Sequence, residues 1–280
     1  MKAFVRGLLL HLGLVAACAI TLYPILWVVG LALSARPTLE PRLWPLPAVP
    51  SAANFADLLA ARDAVGHLTF PRQLANSLLV SMLTAGVGLA LSTTAAYALS
   101  RFRFRGRRAM LSGLLGTQMF PSTLMSVPLY EILDHLALLN TLSGLILVYA
   151  TTAVPFSVWM LKGSFDSMPR ELEEAAILDG ATPFQVFWRV MLPLARPALA
   201  VTFLFSFMAA WNEFILAATF LDDPSRFTAP VALARLVGEY RTDWGHFAAG
   251  ALLVSLPVVA LFFALQRQLV AGLTQGSVKG

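Results

Sequence analysis

Six stretches of this 280-residue chain, each sixteen residues or longer, contain no Asp, Glu, Lys or Arg: 7–35, 73–100, 109–130, 136–161, 197–212 and 244–266. A helix needs about 20 predominantly apolar residues to cross the hydrocarbon core of a bilayer. The fifth stretch reaches that length, ending at residue 221, if the internal acid Glu213 is accepted. A bilayer-spanning segment must satisfy all its backbone polar groups internally, which leaves helices or a closed barrel. A barrel would show segments of about 10 residues with alternating polarity, whereas these runs are continuous. The reading is therefore an all-α polytopic membrane protein, one transmembrane domain over 1–280. Its six helices are expected at about 7–33, 73–100, 109–130, 138–161, 197–221 and 245–266. Composition agrees, since 12% of residues are charged against about 25% in a typical soluble domain.

Near the N-terminus, Val15-Ala16-Ala17-Cys18 behind Lys2 and Arg6 has the look of a lipoprotein cleavage box. The apolar run nevertheless continues to Leu33, far past the roughly 7–15 residues of a signal-peptide core, so an uncleaved membrane helix is expected. Cys18 is the single cysteine, which excludes intramolecular disulfides and CxxC metal sites. No resident cofactor or metal is expected.

Six spans put both termini on one side. Of the 20 basic residues, 13 fall at the termini and in the segments 101–108 and 162–196, and 7 fall on the other face. The positive-inside rule makes the first set cytoplasmic. The net charge of +5 is thus a matter of topology, and no nucleic-acid partner is expected. Arg101, Arg103, Arg105, Arg107 and Arg108 alternate with Phe102 and Phe104 and read as a juxtamembrane anchor to anionic lipid. Outside, the loop 36–72 is rich in proline, with a short helix expected over 54–61. The outer loop 222–243 opens on the turn signal Asp222-Asp223-Pro224-Ser225.

The cytoplasmic segment 162–196 reads as two helices around a corner. Ser167 is placed to cap the first, with Pro169 in its first turn and Glu171, Glu173 and Glu174 where the helix dipole favours anions. Gly180 can end that helix in the left-handed conformation, and Thr182-Pro183 can cap and open the next. The first helix, about 11 residues long, presents little bulk at Ala175 and Ala176. It carries four acids and one Arg between 170 and 179, whereas a helix lying on the membrane favours Lys and Arg. A protein surface is the better fit.

The run Glu174-Ala175-Ala176, then Gly180, then Val190-Met191-Leu192-Pro193 resembles the EAA signature of permease subunits of bacterial ATP-binding-cassette importers. Val190 stands where isoleucine is more usual. Further resemblances are the run from Ala95 through Arg101-Phe102 to Gly106, Gln118-Met119-Phe120-Pro121, Trp211-Asn212-Glu213-Phe214, and the C-terminus from Gly272-Leu273-Thr274 to Lys279-Gly280. Together they are similar to carbohydrate-uptake permeases, the MalG-type subunit of maltose-like transporters.

The resemblance implies a MetI-like fold in a bacterial inner membrane and transport of a sugar of the maltose or oligosaccharide class. It also implies a homologous second permease, two copies of a cytoplasmic ATPase that binds the ATP, and an extracytoplasmic sugar-binding protein. Glu174, Ala175, Ala176 and Gly180, with Leu192 and Pro193, would form the contact coupled to the ATPase. The tail residues Gln275, Gly276 and Lys279 would reach the ATPase interface, and the loop near 222–244 the binding protein. The chain itself would not be an enzyme: it has no GxxxxGK[ST] phosphate loop and no Gly-Lys dipeptide.

Gln118, Asn212 and Glu213 are the candidates for the translocation path. Glu213, the one Asp, Glu, Lys or Arg inside an expected span, either bonds sugar hydroxyls there or makes a contact between helices. A proton-coupled secondary transporter is the alternative, with Glu213 carrying the proton, although the internal repeats such carriers show are not evident. A membrane-embedded transferase would want paired metal-binding acids, and no DxxD spacing occurs among Glu171, Glu173, Glu174 and Asp179.

Overall fold

The computed structural model describes residues 2–35, 44–238 and 242–275, with side chains over 6–35, 44–238 and 242–268. Among the described residues it is helical and contains no strand, only two isolated bridges, Arg62 with Leu68 and Val237 with Thr242. Four helices are long and apolar enough to cross a membrane: α1 (Lys2–Ala32), α3 (Thr69–Arg101), α6 (Leu142–Asp166) and α13 (Trp244–Gln275). Between α1 and α3 lies the short α2 (Ala53–Ala60), close to the expected position.

The expected third span is not one helix. Residues 107–135 form α4 (Arg107–Thr117) and α5 (Ser122–His135), neither of which reaches the roughly 20 residues a crossing needs. The break has a local cause. Gln118, Met119 and Phe120 donate three residues back, to Leu115, Gly116 and Thr117, so the last turn tightens. Pro121 then offers no N–H and fixes its own φ at −60°.

After α6 come α7 (Glu171–Leu178), α8 (Pro183–Gln185), a π-helical turn (Val186–Met191) and α9 (Leu192–Leu194). Pro193 cannot donate to the carbonyl four residues back, and its ring crowds that carbonyl. The wider π turn beside it lets Leu192 donate to Phe187 instead. The chain then bends by 74° into α10 (Arg196–Trp211).

The expected fifth span is interrupted as well. Asn212 ends α10 by donating to Met208, and a separate helix, α11 (Ile215–Phe220), follows. Asp223 caps a 3₁₀ turn (Pro224–Arg226), fulfilling the turn signal, and α12 (Ala229–Arg235) leads towards α13.

Residue contacts group the chain into two units, 1–72 with 231–256, and 73–230 with 257–280, and the boundaries fall inside α3, α12 and α13. In the first unit Ala32, Leu58, Phe70, Ala232, Ala248 and Ala249 are buried together. Asn54 ties α2 to the end of α1 by donating to the carbonyls of Ala32 and Ser34 at 2.8 and 2.9 Å. Gly30 must be glycine, because a Cβ there would lie 1.9 Å from the Pro45 carbonyl oxygen.

The second unit buries Ala96, Leu99, Val158, Leu161, Phe165, Val186, Met191 and Ala195. On its other side Asn140, at φ +53°, organises a turn. Its side-chain oxygen accepts from the Asp222 and Asp223 N–H groups at 3.2 Å. Asn76 of α3 donates to the carbonyls of Ser225 and Phe227, and Ser77 accepts from the Ala229 N–H. The opening of the expected outer loop is thus laced to α3, while residues 239–241 lie outside the described residues.

Candidate functional site

The segment that follows α6 is built from terminus chemistry. Ser167 ends α6 and does not cap α7, contrary to expectation, because its hydroxyl donates back to the Ser164 carbonyl and α7 begins only at Glu171, three residues too late for its side chain to act as the cap. Arg170 precedes α7 without a side-chain cap, and its carbonyl accepts from Glu173 and Glu174. The helix is 8 residues long, shorter than expected. Gly180 ends it at φ +85°, a left-handed conformation that costs other residues about 1–2 kcal/mol. Thr182 and Gln185 then form a reciprocal capping box at the start of α8.

Which face α7 presents is decided by packing. Glu173 and Ala176, three residues apart, turn inward, and Ala176 packs against the buried cluster of Phe165, Val186 and Met191. Glu174, Ala175 and Gly180 are exposed. Leu192 and Pro193 are half-buried in the bent segment and contribute to its shape. The exposed surface also carries large apolar side chains that sequence reasoning missed: Leu178 is 88% exposed, Phe184 71% and Trp188 51%. Their signal was present, as apolar residues flanking a glycine in a polar segment, but apolar residues here could equally have belonged to the core.

Glu173, which sequence reasoning placed only among the acids of the first turn, has a further role in the structure. Its carboxylate pairs with the Arg101 guanidinium at the end of α3 and accepts from the Tyr97 hydroxyl at 3.2 Å. Arg101 also donates to the Met168 carbonyl at 3.0 Å, and its side chain is 7% exposed. Next to it, Ser100 donates to Asp166 at 2.6 Å, and Lys162 pairs with the same carboxylate. The Tyr97 ring meets Phe165 of α6 and Phe187 of the π turn, with centroids 5.6 and 4.9 Å away.

The intramembrane candidates are not equivalent. Gln118 sits in the break of the third stretch, where its side-chain amide donates to the Thr152 carbonyl at 3.0 Å. It lines a cavity of about 990 Å³ together with Val87 and Leu91 of α3, Ser122, Thr151 and Thr152. Asn212 is exposed and its amide returns to the Met208 carbonyl at 2.9 Å. Glu213 is committed to protein donors. One oxygen accepts from the Leu216 N–H at 2.9 Å, and the other from the Ala217 N–H at 3.1 Å and the Tyr149 hydroxyl at 2.5 Å. Of the two readings of this acid, the geometry favours the contact between helices. Of the tail candidates, Gly276 and Lys279 lie outside the described residues, and α13 ends at Gln275, whose side chain is not described.

A multi-span helical chain with a bent segment after α6 and a cavity beside a broken apolar stretch has the make-up of a transport permease. Residues 86–275 match the family of binding-protein-dependent transport system inner membrane components, and the chain belongs to that family. Relatives extend over nearly the whole length. The maltose/maltodextrin transport system permease protein MalG of Salmonella typhimurium is 39% identical over 98% of this chain and 96% of that protein. The trehalose transport system permease protein SugB of Mycobacterium tuberculosis is 36% identical over 92% and 93%. A solved bacterial ABC transporter involved in the import of the acidic polysaccharide alginate superposes with a TM-score of 0.77 at 23% identity, covering 95% of this chain and 97% of that one. The fold is therefore the MetI-like fold of such permeases, in a membrane-spanning chain.

Proposed function

We propose that this chain is the sugar-conducting permease subunit of an ATP-driven importer of the maltose or oligosaccharide class, in which α7 couples transport to a separate ATPase. The observation that carries the reading is the two-sided character of α7. Glu173 and Ala176 hold it to the helical core, while Glu174, Ala175 and the apolar side chains around Leu178 stand free. A helix held on one side with an apolar tip on the other suits a cleft of a partner protein. Relatives whose printed functions are maltose and trehalose transport support a sugar as cargo.

In this reading a homologous second permease completes the pathway, two ATPase copies bind the ATP, and an extracytoplasmic binding protein delivers sugar near the loop 222–243. Both termini are cytoplasmic, with Gln275, Gly276 and Lys279 at the ATPase and the arginine block 101–108 against anionic lipid. The chain holds no cofactor or metal of its own. Gln118, with Thr151 and Thr152 around the same cavity, is the candidate for the sugar path. ATP binding and the empty cytoplasmic state then select different arrangements of the bundle through the contacts each makes with α7.

Co-purification from the native host in mild detergent, after crosslinking, tests this. The expected result is a second permease and an ATPase in a one-to-one-to-two ratio, with uptake lost on ATP depletion. Recovery of the chain alone or as a homodimer, with uptake abolished by a protonophore instead, would overturn it in favour of an ion-coupled carrier.

A further inference from the structure

We propose that Glu173, Arg101 and Tyr97 form the joint through which movement of α7 is passed to α3, with Glu173 as a positioning residue; this rests on the reading of α7 as the coupling helix. The joint has the features a transmitting contact needs. It links two elements that are far apart in sequence, by an ion pair and a hydrogen bond converging on one carboxylate. The side chains of Arg101 and Glu173 are 7% and 16% exposed, so water does not compete for the pair as it does at the surface. Neither can be pulled from the other without stranding a largely buried charge. Arg101 also holds the Met168 carbonyl, so the guanidinium fixes the entrance to α7 as well as its inner face.

The other end of the lever is the wall of the cavity. α3 is an uninterrupted helix from Thr69 to Arg101. Leu91 and Val87, which line the cavity shared with Gln118, stand about 15 and 21 Å along it from Arg101 at 1.5 Å per residue. A tilt imposed on α7 at Glu173 is thereby felt at the cavity wall. The exposed Glu174 makes no such contact among the described residues, so the two adjacent acids divide the work: Glu174 faces the partner, and Glu173 faces this chain.

The test uses the complete importer in nanodiscs, with Cys18→Ser removing the single native thiol and Leu91→Cys reporting on the cavity wall. The labelling rate by a maleimide is measured with and without MgATP and orthovanadate. With the joint intact the nucleotide is expected to change the rate at least threefold. In Glu173→Ala and Arg101→Ala that change is expected to disappear although the ATPase still co-purifies, and the exchange Arg101→Glu with Glu173→Arg is expected to recover at least half of it. A full nucleotide response in both single variants would overturn the proposal, as would an assembled exchange variant that stays unresponsive. If the single variants fail to assemble, Glu173→Gln decides in the same way, a full response counting against the joint. Absence of the ATPase or of any nucleotide response with Glu173 and Arg101 unaltered would instead defeat the coupling-helix reading itself.

Discussion

Two carboxylates of this chain accept a hydrogen bond from a tyrosine on another helix, and they are satisfied in opposite ways. Glu173, at the end of the apolar region, takes Tyr97 and a cation, Arg101. Glu213, inside the fifth apolar stretch, takes Tyr149 and two backbone N–H groups, with no cation paired to it among the described residues. A second charged side chain at membrane depth would add its own insertion cost, about 2.5–3.5 kcal/mol on translocon scales. The break after Trp211 creates N–H donors that α11 cannot use internally, and the acid supplies their acceptors. The interruption and the half-buried acid each relieve the cost of the other, whereas the ion pair of Glu173 ties together two elements that are each complete.

The sharpest way to break this comparison is Glu213→Leu. It strands two N–H groups and the Tyr149 hydroxyl and is expected to cost about 3 kcal/mol after partial relaxation, read as a lowered thermal midpoint of the detergent-solubilised complex. An unchanged midpoint would mean that Glu213 does not hold the break. Arg101→Ala comes next, at about 2 kcal/mol, because Glu173 loses its cation but lies close enough to water to be partly resolvated. The same thermal measurement should rank it below Glu213→Leu, and the reverse order would mean that the ion pair is the more deeply buried of the two sites. Gly180→Ala tests the corner beyond α7 rather than either acid. Its φ of +85° makes a loss of about 1 kcal/mol the expected outcome, together with weaker ATPase retention on co-purification.

The smallest effect belongs to a half-buried acid outside the apolar stretches, Asp63. N–H groups of His67 and Val65, with the His67 imidazole beside them, hold the Asp63 carboxyl below its ordinary 3.8. A carboxyl depressed in the folded state stabilises above its unfolded pKa and loses that contribution as pH falls through the folded value. Hydrogen exchange over residues 61–69, corrected for intrinsic rates, should therefore stay constant from pH 7 to 5 and rise only below about pH 3.8. A rise already between pH 7 and 5 would mean that the Asp63 carboxylate does not hold the loop.

The helices themselves were legible because uncharged runs are a one-dimensional property. The approximate positions of α1, α3 and α6 and the corner at Gly180 and Thr182-Pro183 follow from local rules of hydropathy and capping, although α1 begins at Lys2 rather than near 7 and α6 runs over 142–166 rather than 138–161. The third stretch was misread because a proline inside an apolar run does not say whether neighbours will satisfy the groups it frees. Pro155 and Pro257 lie within continuous helices, whereas Pro121 stands at a break. Ser167 was misassigned for a related reason: its hydroxyl was still used by α6, and sequence alone does not show where a preceding helix stops.

What the sequence by itself determined is the class of molecule and its most distinctive polar segment: apolar segments that only a bilayer can solvate, and one acidic stretch between them with a helix, a glycine and a capped restart. Only the tertiary structure decided which of two adjacent glutamates faces outward, and that the Glu213 carboxylate accepts from the N–H groups at the start of α11. The physical reason is that side-chain direction depends on where the helix starts and on what packs against it. A one-residue difference in that start rotates each side chain by 100° around the axis, and nothing local to Glu173 and Glu174 distinguishes them until Arg101 and Tyr97 arrive from 70 or more residues away.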